Sequence, residues 1–251
     1  MQYGDGLFET MMVRGGRIRF LALHQRRLAE GCQRLDIRLD AGRLWRQAVL
    51  FAAAGPEAML KLLVTRGTAS ARGYRPGGGE PPRCLLYRFA AAPPAEPAAA
   101  PASVVRLDLR LGENPALAGI KHCNRLELVL AARQLPEHGA VDGLLASSSG
   151  QLVSGTMSNV FVRRGGKWMT PELDRCGIAG VMRAVVMREA AAAGQPVTIA
   201  ALPFTALEDC EALCLSNVRL GLLPVAQIEG RRLLQDDWAL RLRARIGELD
   251  E

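Results

Sequence analysis

The sequence predicts an α+β chain in two domains, and three observations predict it. Short apolar runs bounded by glycine-bearing turns give strands, stretches with apolar residues every three or four positions give helices, and both kinds occur along the whole chain. The proline- and alanine-rich stretch AAAPPAEPAAAPA, residues 90–102, interrupts them with a single charge and suits a semi-rigid connection. With 251 residues, 49% hydrophobic and 23% charged, the chain can bury a full core, which excludes disorder as its main character. The expected division is therefore a smaller domain over 1–89, a linker over 90–102 and a larger domain over 103–251.

Each element follows from local pattern. Gly6 to Val13 reads as a strand, Arg14-Gly15-Gly16-Arg17 as a hairpin turn and Ile18 to Leu21 as the return strand. From His24 the period changes, and Leu28, Cys32 and Leu35 mark a helix. A second helix covers Gly42 to Ala54, stopped by Gly55-Pro56, and strands follow at Ala58 to Thr65 and Arg83 to Phe89. Beyond the linker come a strand at Val104 to Leu109, a helix at Asn124 to Gln134, and a hairpin of Gly143 to Ala146 with Gly150 to Val153. A second hairpin joins Val160 to Arg163 and Lys167 to Thr170, then a helix at Gly180 to Ala193 and a buried strand at Ala212 to Ser216. No internal repeat is visible.

Composition narrows the function. Six cysteines without a CxxC pair, in a chain long enough to need no staples, read as reduced thiols of a cytoplasmic protein. No long uncharged apolar run and no signal-like start occur, so neither a membrane protein nor a secretory precursor is expected. The net charge of +7 comes from 32 basic residues spread along the chain, of which only Lys61, Lys121 and Lys167 are lysines. Without an aromatic-plus-basic array this is no nucleic-acid platform, and the arginines suit small anionic ligands. Gly4-Asp5-Gly6 lacks the third glycine of a dinucleotide site, Gly77-Gly78-Gly79 lacks a phosphate-loop lysine, and Ser154 is outside a nucleophile elbow. Three histidines without i,i+4 pairing make zinc catalysis improbable, so no metal is expected.

Lys121 stands between a turn and a helix, behind the apolar pair Gly119-Ile120. An amine in such a pocket loses its hydration, its pKa falls, and the free base can condense with an aldehyde. Around it, the strings GDGLFET (4–10), LHQRRL (23–28), RGTASARGY (66–74), LAGIKHCNRLE (117–127), SNVFV (158–162), TPELDRCGIAGVMR (170–183) and SNVRLGLLPV (216–225) resemble the class IV pyridoxal-phosphate enzymes. That family includes branched-chain and D-amino acid aminotransferases and 4-amino-4-deoxychorismate lyases. The GIKHCNRLE string is similar to the lyases, whereas branched-chain enzymes tend to have tyrosine where this chain has Leu126.

The resemblance implies a fold-type IV homodimer with pyridoxal 5'-phosphate between the domains and a small anionic substrate. It implies that Lys121 bonds the cofactor aldehyde and then shuttles a proton, and that Arg27 pairs with the cofactor phosphate while Arg26 faces solvent. Val181 and Met182 would offer backbone N–H groups to the same phosphate, as would Asn217 and Val218. Arg72 and Arg219 are the candidates for the substrate. Three departures accompany it: Ser154 stands where a glutamate usually holds the pyridine nitrogen protonated, Val218 replaces a phosphate-binding hydroxyl, and the chain begins about one strand later than the family does. A hydroxyl makes the ring a weaker electron sink, which elimination to an aromatic product tolerates better than transamination does. The reading is thus a lyase giving pyruvate and 4-aminobenzoate for folate synthesis, with a D-amino acid or branched-chain type aminotransferase and a catalytically degenerate binding protein as alternatives.

Overall fold

The computed structural model describes residues 3–68, 73–90, 102–137 and 139–249. The chain divides into two compact units: residues up to Ala90 with the returning segment Ile120–Arg125, and the remainder. Most of the expected linker, 91–101, lies outside the described residues. The segment 120–125, which the sequence pattern assigned to the later part of the chain, belongs to the first unit because its backbone pairs with the first strand.

In the first unit, β1 (Gly6–Arg14) and β2 (Arg17–Ile18) form the expected hairpin. It is followed by α1 (Leu21–Leu35), α2 (Ala41–Ala52), β3 (Ala58–Thr65) and β4 (Arg83–Phe89). The sheet is antiparallel throughout in the order β2-β1-β3-β4. The expected return strand is shorter than its apolar run, because Phe20 adopts a left-handed conformation (φ 55°) that turns the chain into α1 at Leu21. Strict alternation divides the sheet into two faces. Met11, Leu60, Leu62 and Val64 are fully buried on the inner face, each contributing roughly 1.5–3 kcal/mol by burial. The outer face of β1 and β3 carries Phe8, Thr10, Met12, Met59, Lys61 and Leu63, half-buried or exposed.

The second unit contains β5 (Ser103–Leu111), α3 (Leu126–Ala132), β6 (Asp142–Ser147), β7 (Leu152–Gly155), β8 (Asn159–Arg164), β9 (Lys167–Pro171), α4 (Val181–Ala192) and β10 (Thr198–Ala200). β11 (Ala212–Asn217), β12 (Gly221–Val225), β13 (Gln227–Ile228), β14 (Arg231–Arg232) and α5 (Asp237–Glu248) complete it. Its two sheets run β10-β9-β8-β11-β12 and β14-β13-β5-β6-β7. They share a core in which Val104, Leu144 and Leu152 of one meet Val160, Val162, Leu213 and Leu215 of the other. The second sheet's other face packs against Ala131 of α3 through Leu107, Leu111, Leu145 and Val153. α5 docks on β9 by stacking Trp238 on Trp168, with ring centroids 4.7 Å apart. No helix among the described residues is long and apolar enough to cross a membrane.

Candidate active site

Lys121 lies in an extended segment along the free edge of β1. The Phe8 N–H donates to the Lys121 carbonyl at 3.0 Å and the Cys123 N–H to the Gly6 carbonyl at 2.9 Å. Arg125 fixes the segment from its own side chain, donating to the Ile120 carbonyl at 2.7 Å and the His122 carbonyl at 3.1 Å, one on each side of Lys121. Gly4 lets the chain pass close to Asn124: its φ is +66°, and a Cβ there would come within 2.9 Å of the Asn124 Cβ. The motif GDG and the residues after Lys121 are thus two sides of one backbone clamp.

Being paired with Phe8 across the ladder, Lys121 projects on the outer face, its Nζ 4.3 Å from the Phe8 ring centre. Burial lowers its pKa from 10.5 to about 7; the nearby Arg27, Arg125 and Lys61 push the same way, and Glu9 opposes them. At neutral pH a large share of this amine is therefore uncharged and nucleophilic. The adjoining His122 is lowered to about 4 by burial and Arg125, so it stays neutral.

Glu9, two residues along β1 from Leu7, points to the inner face and is 1% exposed. Its carboxylate accepts from Arg27 Nε at 2.8 Å and Nη2 at 2.5 Å, and from His24 Nδ1 at 2.6 Å. Burial alone would raise the Glu9 pKa, but hydrogen bonds from His24 and Arg27 outweigh it, and the carboxyl lies below its ordinary value. Burial lowers the His24 pKa against the pull of Glu9, leaving a neutral ring that donates from Nδ1. Arg27 thus has its guanidinium gripped along one side, held on the α1 face turned to β1, while Arg26 is exposed. Asp5 similarly anchors Arg66, which also donates to the carbonyls of Leu35 and Asp36.

In the second unit, α4 begins with Gly180 as its N-cap, without a side-chain cap and without an acidic residue in its first turn. Val181 and Met182, its first two residues, are buried. Asn159 sets this helix start, accepting from the Gly180 N–H at 3.1 Å and donating to the Ile178 carbonyl at 2.8 Å. A Cβ on Gly180 would collide with the Asn159 Oδ1, so glycine is required. Ser216 is the partner of Asn159 across the β8–β11 ladder, so its side chain leaves the sheet on the same face. Its hydroxyl is buried and has no hydrogen-bond partner among the described residues. An uncapped helix start near an unsatisfied hydroxyl suits an anionic group such as a phosphate.

Asn217 closes a turn, its Oδ1 accepting from the Arg219 N–H at 2.9 Å and the Leu220 N–H at 2.8 Å. Val218 is half-buried in that turn and the Arg219 side chain is exposed. Ser154 is buried on β7, and its hydroxyl donates to the Gly155 carbonyl at 2.8 Å. Buried Asp142 organises the following turn by accepting from the Thr156 N–H and hydroxyl and from the Ser158 hydroxyl. Arg72 lies outside the described residues. Sequence reasoning missed Glu9, His24 and Ser216; Glu9 did carry a signal, as the one charged residue at an inward position of an alternating strand. No group of metal-ligating side chains occurs among the described residues.

Comparison with known proteins agrees with this chemistry. The chain is 32% identical to an aminodeoxychorismate lyase of Vibrio harveyi over 231 residues, covering 90% of this chain and 84% of the relative. It is 25% identical to a bifunctional aminodeoxychorismate lyase / D-amino acid transaminase of Mycobacterium tuberculosis over 92% of this chain and 84% of that protein. Its structure superposes on the crystal structure of 4-amino-4-deoxychorismate lyase from Pseudomonas aeruginosa with a TM-score of 0.93 and 36% identity, covering 100% of this chain and 93% of that one. The family profile of amino-transferase class IV matches residues 6–228, and the chain belongs to that family.

Proposed function

We propose that the chain is an aminodeoxychorismate lyase, which uses pyridoxal 5'-phosphate to expel pyruvate from 4-amino-4-deoxychorismate and leave 4-aminobenzoate. The observation that carries the reading is the placement of Lys121, held along the edge of β1 by main-chain bonds to Phe8 and Gly6 and by the Arg125 side chain, where burial brings its amine to a pKa of about 7. The cofactor supplies an aldehyde for the amine and a ring that accepts electrons. Lys121 would hold the cofactor through its aldehyde and, as a free base, would take the ring proton as the ring C–O bond breaks, the electron pair leaving with enolpyruvate, which a proton converts to pyruvate. Arg27 pairs with the phosphate, its guanidinium held in orientation by Glu9. The N–H groups of Val181 and Met182, with the Ser216 hydroxyl, are the second unit's donors for a phosphate, and the turn of Asn217 and Val218 adds main-chain donors. Arg72 and Arg219 take part in binding the dianionic substrate.

Ser154 tilts the chemistry toward elimination. Its hydroxyl is directed to its own chain and brings no negative charge to the pyridine nitrogen, so aromatisation of the product must supply the driving force. The resemblance to a bifunctional relative supports transamination as a side activity. The apolar stripe on α3 supports a homodimer, and six free cysteines support a reducing, cytoplasmic setting in folate synthesis.

Incubation with 4-amino-4-deoxychorismate should yield pyruvate and 4-aminobenzoate in equal amounts, and Lys121→Ala should abolish both. With D-alanine or a branched-chain amino acid as amino donor and 2-oxoglutarate as acceptor, formation of glutamate without any 4-aminobenzoate from the chorismate would assign the chain to the aminotransferases, and cofactor binding without turnover of either kind would make it a binding protein. Ser154→Glu should raise glutamate formation from D-alanine and 2-oxoglutarate relative to 4-aminobenzoate formation from the chorismate.

A further inference from the structure

We propose that Lys61 receives the ring carboxylate of the substrate, the one retained in 4-aminobenzoate, and so sets the specificity of the site; this rests on the lyase reading above. Lys61 stands at the middle of β3 on the outer face, where its ladder partners are Thr10 of β1 and Tyr87 of β4. Its Nζ lies 5.8 Å from the centre of the Phe8 ring, the same ring whose centre is 4.3 Å from the Lys121 Nζ. Two of the three lysines in a chain of 32 basic residues thus converge on one aromatic side chain.

That placement needs an explanation. Lys61 is exposed in mid-strand between the half-buried Met59 and Leu63, and it forms no ion pair among the described residues. Beside Lys121 it adds like-charge repulsion, which an anion between or beside the two relieves. The proposed substrate has the matching pattern: its amine and ring carboxylate lie at opposite ends of a six-membered ring. With the amine directed to the position of Lys121, the ring can lie against Phe8 and the carboxylate can extend along the sheet toward Lys61. The Thr10 hydroxyl beside Lys61 offers a second donor. The enolpyruvyl carboxylate, which leaves with pyruvate, is not the one Lys61 holds.

The test uses the holoenzyme with Lys61→Met, Lys61→Gln and Lys61→Arg. Loss of a charge-assisted contact should raise KM for 4-amino-4-deoxychorismate, and the inhibition constant of 4-aminobenzoate, about 10- to 100-fold in the Met and Gln variants. The Arg variant should recover most of the loss. Turnover at saturation, the cofactor absorbance band and inhibition by pyruvate should stay as in the wild type, and the uncharged 4-aminobenzamide should bind all four proteins alike. Unchanged KM and 4-aminobenzoate inhibition in Lys61→Met would overturn the proposal, as would equal weakening of the acid and its amide. If the wild type forms no 4-aminobenzoate, the lyase reading fails on that result. Calorimetric binding of 4-aminobenzoate against 4-aminobenzamide to the wild-type and Lys61→Met holoproteins then decides Lys61 separately, with loss of the preference for the acid supporting it and an unchanged preference overturning it.

Discussion

Lys121 shows how a single side chain trades stability for reactivity. Its folded pKa of about 7 lies well below the 10.5 of an unburied lysine, so between those values the unfolded chain holds the proton that the folded chain releases. The penalty for burying the ammonium is complete below about pH 7 and vanishes by about 10.5. Without cofactor, Lys121→Met should therefore melt at a higher temperature than the wild type at neutral pH, with the gain fading as pH rises toward 10. Thermal melts of the two apo proteins across that range check this, and a gain independent of pH would show that the variant acts through packing instead. The same property governs the chemistry, since cofactor uptake by the wild type should quicken as pH rises through about 7. Glu9 is the opposite case. Its depressed pKa makes the ionised form part of the fold, stabilising above the ordinary carboxylate range and lost as acid protonates it.

At the scale of elements, the start of α4 combines a loop and a neighbouring strand into an anion site. Asn159 fixes the turn, Gly180 permits it, and Ser216 brings a buried hydroxyl to the same face. An unpartnered buried hydroxyl weakens the empty fold and strengthens binding of a charged ligand, so Ser216→Ala should move the two in opposite directions. The apo protein should melt higher, and cofactor affinity should fall about 10- to 100-fold by equilibrium dialysis. No change in either would remove Ser216 from the site. What the sequence revealed follows from how local each cause is. β1, β3 and β4 were legible because alternation and glycine turns are neighbour effects, and Lys121 because its motif is contiguous. The pairing of 120–125 with β1 was not, since it joins residues more than a hundred positions apart. α5 went unread: the stacking of Trp238 on Trp168 that seats it is a tertiary contact. Ser216 carries no pattern of its own, because an unsatisfied hydroxyl exists only once neighbouring strands are in register.

For the whole molecule, the unresolved balance lies on α3. Leu126, Val129 and Leu130 are 72%, 58% and 52% exposed, and their spacing puts all three on one stripe of the helix. Ala131, on the opposite side, already fills the core of the second unit, so the outward stripe has no role in the folded chain by itself. Contiguous exposed apolar surface of this kind marks an association site, and in a family of enzymes the commonest association is a twofold dimer in which the same stripe meets its copy. A stable dimer covers about 1,600 Å² in total, more than three side chains supply, so a dimer centred on this stripe would draw in a larger patch around it. Placing a carboxylate at that centre leaves an uncompensated charge in a dry interface and costs several kcal/mol, whereas on a free monomer the same charge is solvated. Val129→Glu with Leu130→Glu keeps residues compatible with a helix and touches nothing in the core. The double variant should sediment as a monomer at micromolar concentration with near-native far-UV circular dichroism, while the wild type sediments at twice the mass of 27.1 kDa. A wild type already at the mass of one chain, or a variant that remains a dimer, would place the subunit contact elsewhere or remove it.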